Sequence, residues 1–437
     1  MTSGIELRSF DRTAAERSWV SRPETMRQLE QLIAEAPRAI ARGAGLSYSP
    51  ASFGPDVHVI DMTRFDRVLS FSPQSGQVTV EPGISVGRLT AFLADKGRYL
   101  PALPGYPRIT IGGCLAFDIH GKSQAHSGNF SRWVESLVLR HVDHGEIHCS
   151  RQRERDVFEL TLGGLGLTGI VTQVVLNTAP LQGSCVQVTT TLVSDLCEAA
   201  ELLREQANTA DISYSWHDLN LAKKQFGRGV VYIERFVPQT QSAHAELAER
   251  PLTAHVHLGV WNRLTTRPAL ALYGALVRRP SVRHVPLQQA LFPIYGKEIY
   301  YALFGKRGFR EYQVIIAHHS FPQFSCDLRR LLQASGVPIT LGSLKVFQGE
   351  PRYVGFSGEG IALALDVPAS RKSLQLFSAI DELVVRYAGV INLSKDSRVS
   401  AGLCERVLPG YRQFAAELRR FDPACRYGSA LSRQIGL

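Results

Sequence analysis

The stretch Pro104–Lys122, PGYPRITIGGCLAFDIHGK in one-letter code, decides the fold of this chain. It combines several glycines with one histidine and one lysine, and it has neither helical nor strand periodicity. Glycines let backbone N–H groups approach a ligand closely, and several such groups together form a concave anion site. The stretch therefore predicts a ligand-binding loop suited to a pyrophosphate. A pair of tight turns without a ligand is the alternative.

Two further segments are rich in glycine and lie beside apolar runs. They are Ala41–Tyr48 (ARGAGLSY) and Leu162–Thr172 (LGGLGLTGIVT). Three such turns in the first part of the chain favour one long ligand held at several points. The chain lacks G-x-x-x-x-G-K-[ST], and none of the turns has the strand, G-x-G-x-x-G and helix context of a Rossmann site. Both of these nucleotide-binding classes are excluded.

The order R-G-x-G-x-S-Y, P-G-x-x-x-x-T-I-G-G and G-G-x-G-x-T-G-I-V-T resembles the FAD-binding domain, also called the PCMH-type domain, of vanillyl-alcohol-oxidase-type flavoproteins. Three later motifs, Asp118–Lys122, Lys345–Phe347 and Lys395–Arg398, extend the resemblance over nearly the whole chain. It is strongest over 38–180 and 390–400 and weak over 185–300. The resemblance implies FAD as the cofactor.

The resemblance also implies the fold class. We expect an α+β, two-domain flavoprotein in which the FAD-binding domain is split in sequence, over 1–183 and 391–437. The substrate-binding domain, 184–390, lies between the two parts and is expected to be an antiparallel sheet with helices.

Carried over residue by residue, the resemblance implies a cofactor site on the three turns. Covalent attachment in this family uses a histidine in the first turn, or a cysteine or histidine in the second. Neither Gly45-Leu46-Ser47-Tyr48 nor Gly105-Tyr106-Pro107 has one, so we expect non-covalent FAD. The predicted cofactor-binding residues are Arg42, Gly43, Ala44, Gly45, Leu46, Ser47, Tyr48, Pro104, Gly105, Thr110, Gly112, Gly113, Ala116, Phe117, Ile119, His120, Gly121, Gly164, Gly166, Gly169 and Ile170.

Oxidation of an alcohol by a flavin needs a group that takes the hydroxyl proton or stabilises the alkoxide. The resemblance places Lys395 in this role, with His120 as a second catalytic residue that positions the substrate. Lys122, Gln313, Lys345 and Lys395 are the predicted substrate-binding residues. The alternative for Lys395 is an ion pair with Asp396, or with another nearby carboxylate, in a surface turn.

The resemblance implies oxidation of a secondary sugar hydroxyl to a ketone, above all the 2′-hydroxyl of a polyprenyl-phosphate-linked ribose. This would be half of an epimerisation that an NAD(P)H-dependent short-chain reductase completes. Two departures leave other substrates open: Ala362–Leu365 lacks a cysteine and an amide found in the family, and Glu311 replaces the first of two glutamines. A soluble sugar, aldonolactone, alditol or nucleoside is the alternative.

The amino-acid composition limits the classes of protein to which this chain can belong. The 437 residues are 44% hydrophobic and 20% charged, which is ordinary globular usage and predicts two to three domains. No apolar run is long enough for a membrane span, and no signal peptide is apparent. We therefore expect a cytoplasmic protein. Its seven cysteines lack C-x-x-C spacing, which favours free thiols over disulfides or zinc.

The net charge of +10 is spread along the chain, with no block of five basic residues. It favours a phosphorylated substrate or peripheral association with an anionic membrane at its inner face over nucleic acid. A basic surface that only keeps the protein in solution is the alternative. A non-enzymatic binding protein for nucleic acid or membrane is the competing functional class.

Local patterns predict several elements. We expect a helix over 21–36 with Ser21 as its N-cap, a strand over 360–367, and a helix over 370–388 capped by Ser370. The sequence around Asp143-His144-Gly145 predicts a hairpin rather than a metal site, and we expect no metal.

Overall fold

The structure is a computed structural model that describes residues 4–183, 185–221, 225–238, 257–277 and 279–437. It combines helices with mainly antiparallel sheets, which confirms the predicted α+β class. The division into FAD-binding and substrate-binding domains stays a prediction.

The first sheet holds the Ala41–Tyr48 turn at its edge. Its order is β1-β2-β4-β3, with β3 parallel to β4, so the turn leaves the carboxyl end of a parallel pair. Helix α1 packs Leu29 and Ile33 against this sheet's apolar cluster. The elements are β1 (Ile5–Arg8), β2 (Ala15–Ser21), α1 (Met26–Glu35), β3 (Ala39–Arg42) and β4 (His58–Asp61).

The second sheet is antiparallel, with the order β5-β6-β10-β8-β9, and the other two glycine turns lie beside it. Its elements are β5 (Val68–Phe71), β6 (Gln77–Val80), α2 (Val86–Ala94), β7 (Arg98–Tyr99), α3 (Ile111–Ala116), α4 (Gln124–Ser127), the 3-10 turn Phe130–Trp133, β8 (Val134–His141), β9 (Gly145–Ser150), α5 (Arg155–Thr161), β10 (Ile170–Asn177) and β11 (Ala179–Pro180). Strands β8 and β9 form the hairpin predicted around Asp143–Gly145.

Two four-stranded antiparallel sheets follow, with the orders β13-β14-β12-β15 and β17-β18-β16-β19. The strands of the third sheet are β12 (Cys185–Val193), β13 (Ile212–His217), β14 (Gly229–Val237) and β15 (Ser281–Pro286). The helices in this part of the chain are α6 (Leu196–Gln206), α7 (Thr266–Val277), α8 (Leu287–Leu291) and α9 (Ile299–Ala302). The strands of the fourth sheet are β16 (Phe309–Ile316), β17 (Leu341–Phe347), β18 (Gly360–Pro368) and β19 (Val390–Ile391). The helices between them are α10 (Phe321–Ser335) and α11 (Arg371–Arg386). The chain ends in α12 (Ala401–Val407), α13 (Tyr411–Phe421) and α14 (Ala430–Gln434).

The local predictions succeed where a cap is unambiguous. Ser370 caps α11 through a reciprocal capping box with Ser373, and β18 covers the predicted strand. The N-terminal bound of the first helix is wrong: Ser21 ends β2, and Thr25 caps α1 instead. Pro23 disfavours helical backbone at the residue before it, so the helix begins beyond it.

The C-terminal segments return to the N-terminal sheet. The N–H of Gly428 donates to the carbonyl of Ala39 over 3.0 Å, and the N–H of Tyr48 donates to the carbonyl of Ser394 over 3.1 Å. The segment that carries Lys395 is thereby tied to the first glycine turn.

None of the helices in the described ranges is long and apolar enough to cross a membrane.

Candidate active site

The three glycine-rich turns meet in space. The second and third are joined by backbone hydrogen bonds, from the N–H of Gly163 to Leu115 over 2.9 Å and from the N–H of Leu165 to Ala116 over 2.8 Å. The first turn abuts the second, because a Cβ added at Gly43 would lie 2.1 Å from Oγ1 of Thr110. Only glycine fits at this contact.

The first turn presents backbone donors that the described part of the chain does not use. The N–H groups of residues 44–47 donate no hydrogen bond there, and Gly45 has a φ of +68° that favours glycine. Unused donors beside Arg42 suit the phosphate oxygens of a dinucleotide. The arrangement fits FAD, whose pyrophosphate these amides would hold.

The second turn contains the short helix α3 within the predicted loop. Oγ1 of Thr110 caps α3 by accepting the N–H of Gly113. The carboxylate of Asp118 accepts hydrogen bonds from the N–H of Ser131 over 2.7 Å and from its hydroxyl over 3.0 Å, which fixes the turn before His120. The segment is thus held by its own side chains as well as by its glycines.

The fourth sheet brings predicted substrate residues onto one face. Strands β16, β18 and β17 are neighbours, with Glu311 opposite Asp366, Gln313 opposite Ala364, and Ala364 opposite Ser343. Side chains alternate between the two faces along a strand, so this face also includes Lys345, two residues beyond Ser343. Residues far apart in sequence therefore share one surface.

His120 meets this face through Gln313. Its Nε2 lies 3.4 Å from Nε2 of Gln313, whose Oε1 accepts a hydrogen bond from Nδ2 of Asn392 over 2.6 Å. Burial lowers the pKa of His120 well below its ordinary value, and Lys345 and Lys395 lower it further. His120 is therefore neutral at pH 7, which suits positioning by hydrogen bonds.

Lys395 lies in the turn after β19. Its Nζ is 3.5 Å from Oε1 of the buried Glu311 and 3.9 Å from the ring centroid of Tyr48. Asp396 instead forms an ion pair with Arg398 over 2.8 Å. The alternative of a Lys395–Asp396 pair is therefore wrong. Lys395 does pair with another carboxylate, that of Glu311, but this carboxylate is buried on the sheet face and not in a surface turn.

The same region contains further perturbed groups. Burial and the nearby ammonium group of Lys395 lower the pKa of Lys345 to about 8. Burial and the neighbouring Glu311 raise the pKa of Asp366 well above its ordinary value, and the hydroxyl of Tyr300 donates to this carboxyl group over 2.9 Å. Burial and Glu311 thus favour the protonated form of Asp366. Such shifts are typical of functional sites.

Lys122 has contacts of its own. Its Nζ donates to the carbonyls of Ala290 over 3.1 Å and Leu291 over 3.3 Å, and it stands 5.0 Å from the ring centroid of Tyr214. Burial lowers the pKa of Lys122. Its predicted role in binding substrate stays a prediction.

Sequence reasoning missed some members of the site. Asn392 orients Gln313, and Phe347 and Phe356 pack against the His120 ring with centroids 4.8 Å and 5.2 Å away. Asn392-Leu-Ser had a usable local signal, because asparagine followed by serine two residues later favours an Asx turn, and Oδ1 of Asn392 does accept from Ser394. The two phenylalanines had no such signal.

One group of three possible metal ligands occurs among the described residues: His141, Asp143 and Asp422, within 4.8 Å of one another. Nδ1 of His141 accepts the N–H of Asp143 over 3.1 Å. The proton of the neutral ring is then on Nε2, which leaves no free lone pair for a metal. The group is better described as part of the β8–β9 hairpin and its contact with the end of α13, where Asp422 is the C-cap.

Comparisons with known proteins agree with this geometry. Residues 18–150 match the family described as FAD binding domain. The chain is 25% identical over 413 residues to decaprenylphosphoryl-beta-D-ribose oxidase of Mycolicibacterium smegmatis, covering 91% of this chain and 89% of that protein. It is 29% identical to an uncharacterized protein in the mprA 5′ region of Streptomyces coelicolor, covering 81% of this chain and all of that protein.

Shorter matches are confined to about a third of the chain. L-galactono-1,4-lactone dehydrogenase of Arabidopsis thaliana is 29% identical over 160 residues, which is 36% of this chain and 26% of that protein.

The fold, the site and these matches define an FAD-dependent oxidoreductase. More narrowly, the match to an FAD binding domain and the similarity to a ribose oxidase over most of the chain support an oxidase of the vanillyl-alcohol-oxidase or PCMH type.

Proposed function

We propose that this enzyme oxidises a secondary hydroxyl of a sugar to a ketone, and that its substrate is the 2′-hydroxyl of a polyprenyl-phosphate-linked ribose. The observation that carries the proposal is the meeting of Lys395, Lys345, Gln313 and His120 beside the three glycine turns. Cations and amides suit the hydroxyl and phosphate oxygens of such a substrate. Similarity to the ribose oxidase over 91% of the chain supports it.

In this proposal Lys395 acts on the reacting hydroxyl. It takes the proton, or as an ammonium group it donates a hydrogen bond to the developing alkoxide. Glu311 holds Lys395 in place, and His120 and Gln313 orient the sugar. FAD, when bound, supplies the redox chemistry by accepting a hydride.

The FAD is proposed to bind without a covalent link. Residues 44–48 contain no histidine or cysteine. Cys114, in the second turn, is completely buried in an apolar cluster, and burial raises the pKa of its thiol. A buried neutral thiol is a poor nucleophile.

The domain assignment belongs to the same proposal. Residues 1–183 and 391–437 would hold FAD, and 184–390 would hold the substrate. The hydrogen bonds from Tyr48 to Ser394 and from Gly428 to Ala39 support the return of the chain to its first part. A short-chain reductase partner would complete the epimerisation.

A soluble sugar or lactone is the second candidate substrate. Glu311 favours it, because a buried carboxylate beside Lys395 and Lys345 offsets positive charge that a phosphate would otherwise meet. The site then suits a neutral polyol better than a phosphodiester.

The visible spectrum of the purified protein tests the proposal. We expect yellow protein whose flavin appears in the supernatant after acid precipitation, and whose absorbance bleaches anaerobically with a polyprenyl-phosphate ribose. Bleaching by free sugars or lactones alone would establish the second candidate. Flavin retained in the acid pellet would contradict the non-covalent assignment, and colourless protein would contradict the function.

A further inference from the structure

Helix α7 exposes leucines that the described part of the protein does not cover. Leu264, just before the helix, is 86% exposed, and Leu272 and Leu276 are 66% and 65% exposed. The last two are four residues apart and therefore project from the same side of the helix. Exposed leucines grouped in this way mark an interaction surface more often than scattered ones do.

The opposite side of α7 anchors the helix to the protein. Thr266, Leu270 and Gly274 are buried, and the ring of Tyr273 lies 4.9 Å from that of Trp216 on β13. The helix is therefore apolar on both sides, with only one side covered by the third sheet. A helix of this kind requires a second apolar environment.

The stretch of sequence that contains α7 is basic. Residues 257–297 include six lysines and arginines and no aspartate or glutamate. Arg267 and Arg279 are exposed at the two ends of the helix. This segment contributes six positive charges to a chain whose net charge is +10, so it has a strong local preference for an anionic partner.

The α7 segment is followed in the chain by elements that contact Lys122 and the second glycine turn. Helix α8, which follows β15, supplies the carbonyls of Ala290 and Leu291 to Lys122. Farther along, Ile299 is 69% exposed, and the neighbouring Glu298 accepts a hydrogen bond from Tyr106 of the second glycine turn over 3.3 Å. The chain that follows α7 therefore reaches Lys122 and the second glycine turn.

We propose that α7 docks the enzyme on an anionic lipid bilayer. Leu264, Leu272 and Leu276 enter the boundary between headgroups and acyl chains, and Arg267 and Arg279 contact lipid phosphates. These five residues form the α7 surface. Membrane binding goes beyond the proposed reaction, because it requires neither FAD reduction nor a particular sugar.

Charge complementarity favours a bilayer over a protein partner or a second copy of this chain. Two copies would bring two sets of unneutralised arginines together, whereas anionic headgroups neutralise them. The helix has 12 residues, too few to span a bilayer but sufficient to lie in the interface plane. An interfacial helix with leucines on one side and arginines at its edges fits this site.

Vesicle cosedimentation of the FAD-loaded protein tests the proposal. We expect binding to phosphatidylcholine vesicles with about 30% phosphatidylglycerol, and binding weaker by at least about tenfold without the anionic lipid. Leu272→Glu with Leu276→Glu should weaken binding on the order of 10- to 100-fold, because each removes buried apolar area. Arg267→Ala and Arg279→Ala should each weaken it about fivefold.

Leu374→Glu is the matched control, since Leu374 is an exposed leucine on another helix, α11. It should bind like the wild type. Wild-type protein that stays in the supernatant, or binding unaffected by the α7 variants, would overturn the proposal. A concentration-dependent dimer abolished by the leucine variants would instead assign α7 to a second copy.

The outcome is separable from that of the proposed reaction. Anaerobic bleaching by a short-chain or detergent-dispersed substrate is measured without vesicles, and the α7 variants should retain it. If the wild-type protein bleaches normally but does not bind vesicles, the result contradicts the membrane proposal and leaves the proposed reaction intact.

Discussion

The glycine turns and the substrate-side sheet face are held in place by different forces. The turns are joined by main-chain hydrogen bonds, such as Gly163 to Leu115, and by close packing at Gly43. The sheet face, formed by Glu311, Gln313 and Lys345, is held by strand register and by buried charges. A site built from main-chain donors depends on the glycines that shape it, whereas a site built from side chains changes its chemistry when one of those side chains is replaced.

The resemblance divides along the same line. It implies that the three glycine motifs match the family pattern, whereas Glu311 and Ala362–Leu365 on the sheet depart from it. A site made by main-chain donors binds the same cofactor in many relatives. A site made by side chains can acquire another substrate through one or two changes.

The largest expected effect concerns Lys395. Lys395→Ala should keep bound FAD but slow anaerobic flavin reduction by roughly 10²- to 10⁴-fold, the usual range for a positioned acid or base. The physical reason is that an interaction made in the transition state lowers the rate of the chemical step when it is lost. Stopped-flow bleaching at saturating substrate measures this rate.

Lys395→Met keeps the apolar stem that packs near Tyr48 and should be equally slow. Reduction at near the wild-type rate would remove Lys395 from the mechanism. Loss of FAD in both variants would assign Lys395 to cofactor binding and not to the chemical step.

The next effect concerns the glycine turns. Gly43→Ala places a Cβ against Thr110, which must shift and release the cap of α3. Overpacking of this kind typically costs about 1–3 kcal/mol, so we expect FAD affinity to fall on the order of 10- to 100-fold. Flavin fluorescence during titration of the apoprotein measures it.

Gly402→Ala is the matched control, because a Cβ there contacts nothing within 4 Å. It should bind FAD like the wild type. Equal FAD affinity in both variants would mean that the contact between the first and second turns does not shape the cofactor site.

The third effect is on stability and has the opposite sign. Lys345→Met should raise the free energy of unfolding at pH 7 by on the order of 1–3 kcal/mol, because the partly buried ammonium group is replaced by an apolar side chain. Its folded pKa of about 8 lies below the unfolded value of 10.5, so the unfolded state binds more protons between these values. Wild-type stability should therefore rise from pH 8 to 10.5 by this contribution.

Urea unfolding at pH 7 and pH 9.5 measures both the gain in stability from Lys345→Met and the rise of wild-type stability with pH. The gain from Lys345→Met should be smaller at pH 9.5, where Lys345 is mostly neutral in the folded protein. A gain that does not depend on pH would show that packing, and not the buried charge, sets the cost.

The sequence predicts the backbone site better than the side-chain site, for a physical reason. The turn around Gly43–Gly45 and the cap at Ser370 depend on neighbours a few residues away, and local patterns report such neighbours. The Glu311 partner of Lys395 lies 84 residues away in sequence and is brought near by the pairing of β16 with β18 and β19. A single sequence contains no record of that register.

The same limit explains the error at Ser21. Its pattern suits an N-cap, but pairing of β2 with β4 extends the strand to that residue. Tertiary pairing overrides the local preference. By contrast, the resemblance implied roles for Lys345, Gln313 and Lys395. A family resemblance includes information on three-dimensional arrangement that a local sequence pattern lacks.

The smallest effect concerns Glu311, and it tests how the sheet face differs from the family. Glu311→Gln restores the family's amide and removes a negative charge that raises the pKa of Lys345. The pKa of Lys345 should then fall below 8, so the ammonium form is lost at a lower pH. We expect less than about a tenfold change in the rate of flavin reduction at pH 7, with its alkaline decline displaced to lower pH by roughly half a unit to one unit. Asp366→Asn is the matched control: burial and Glu311 raise the pKa of this carboxyl group and favour its neutral form, which the amide resembles, so this variant should leave the profile in place. Rates measured from pH 6 to 10 distinguish the two variants. An unchanged profile in Glu311→Gln would mean that the carboxylate does not set the charge of the lysines, and the sheet face would then differ from the family in shape alone.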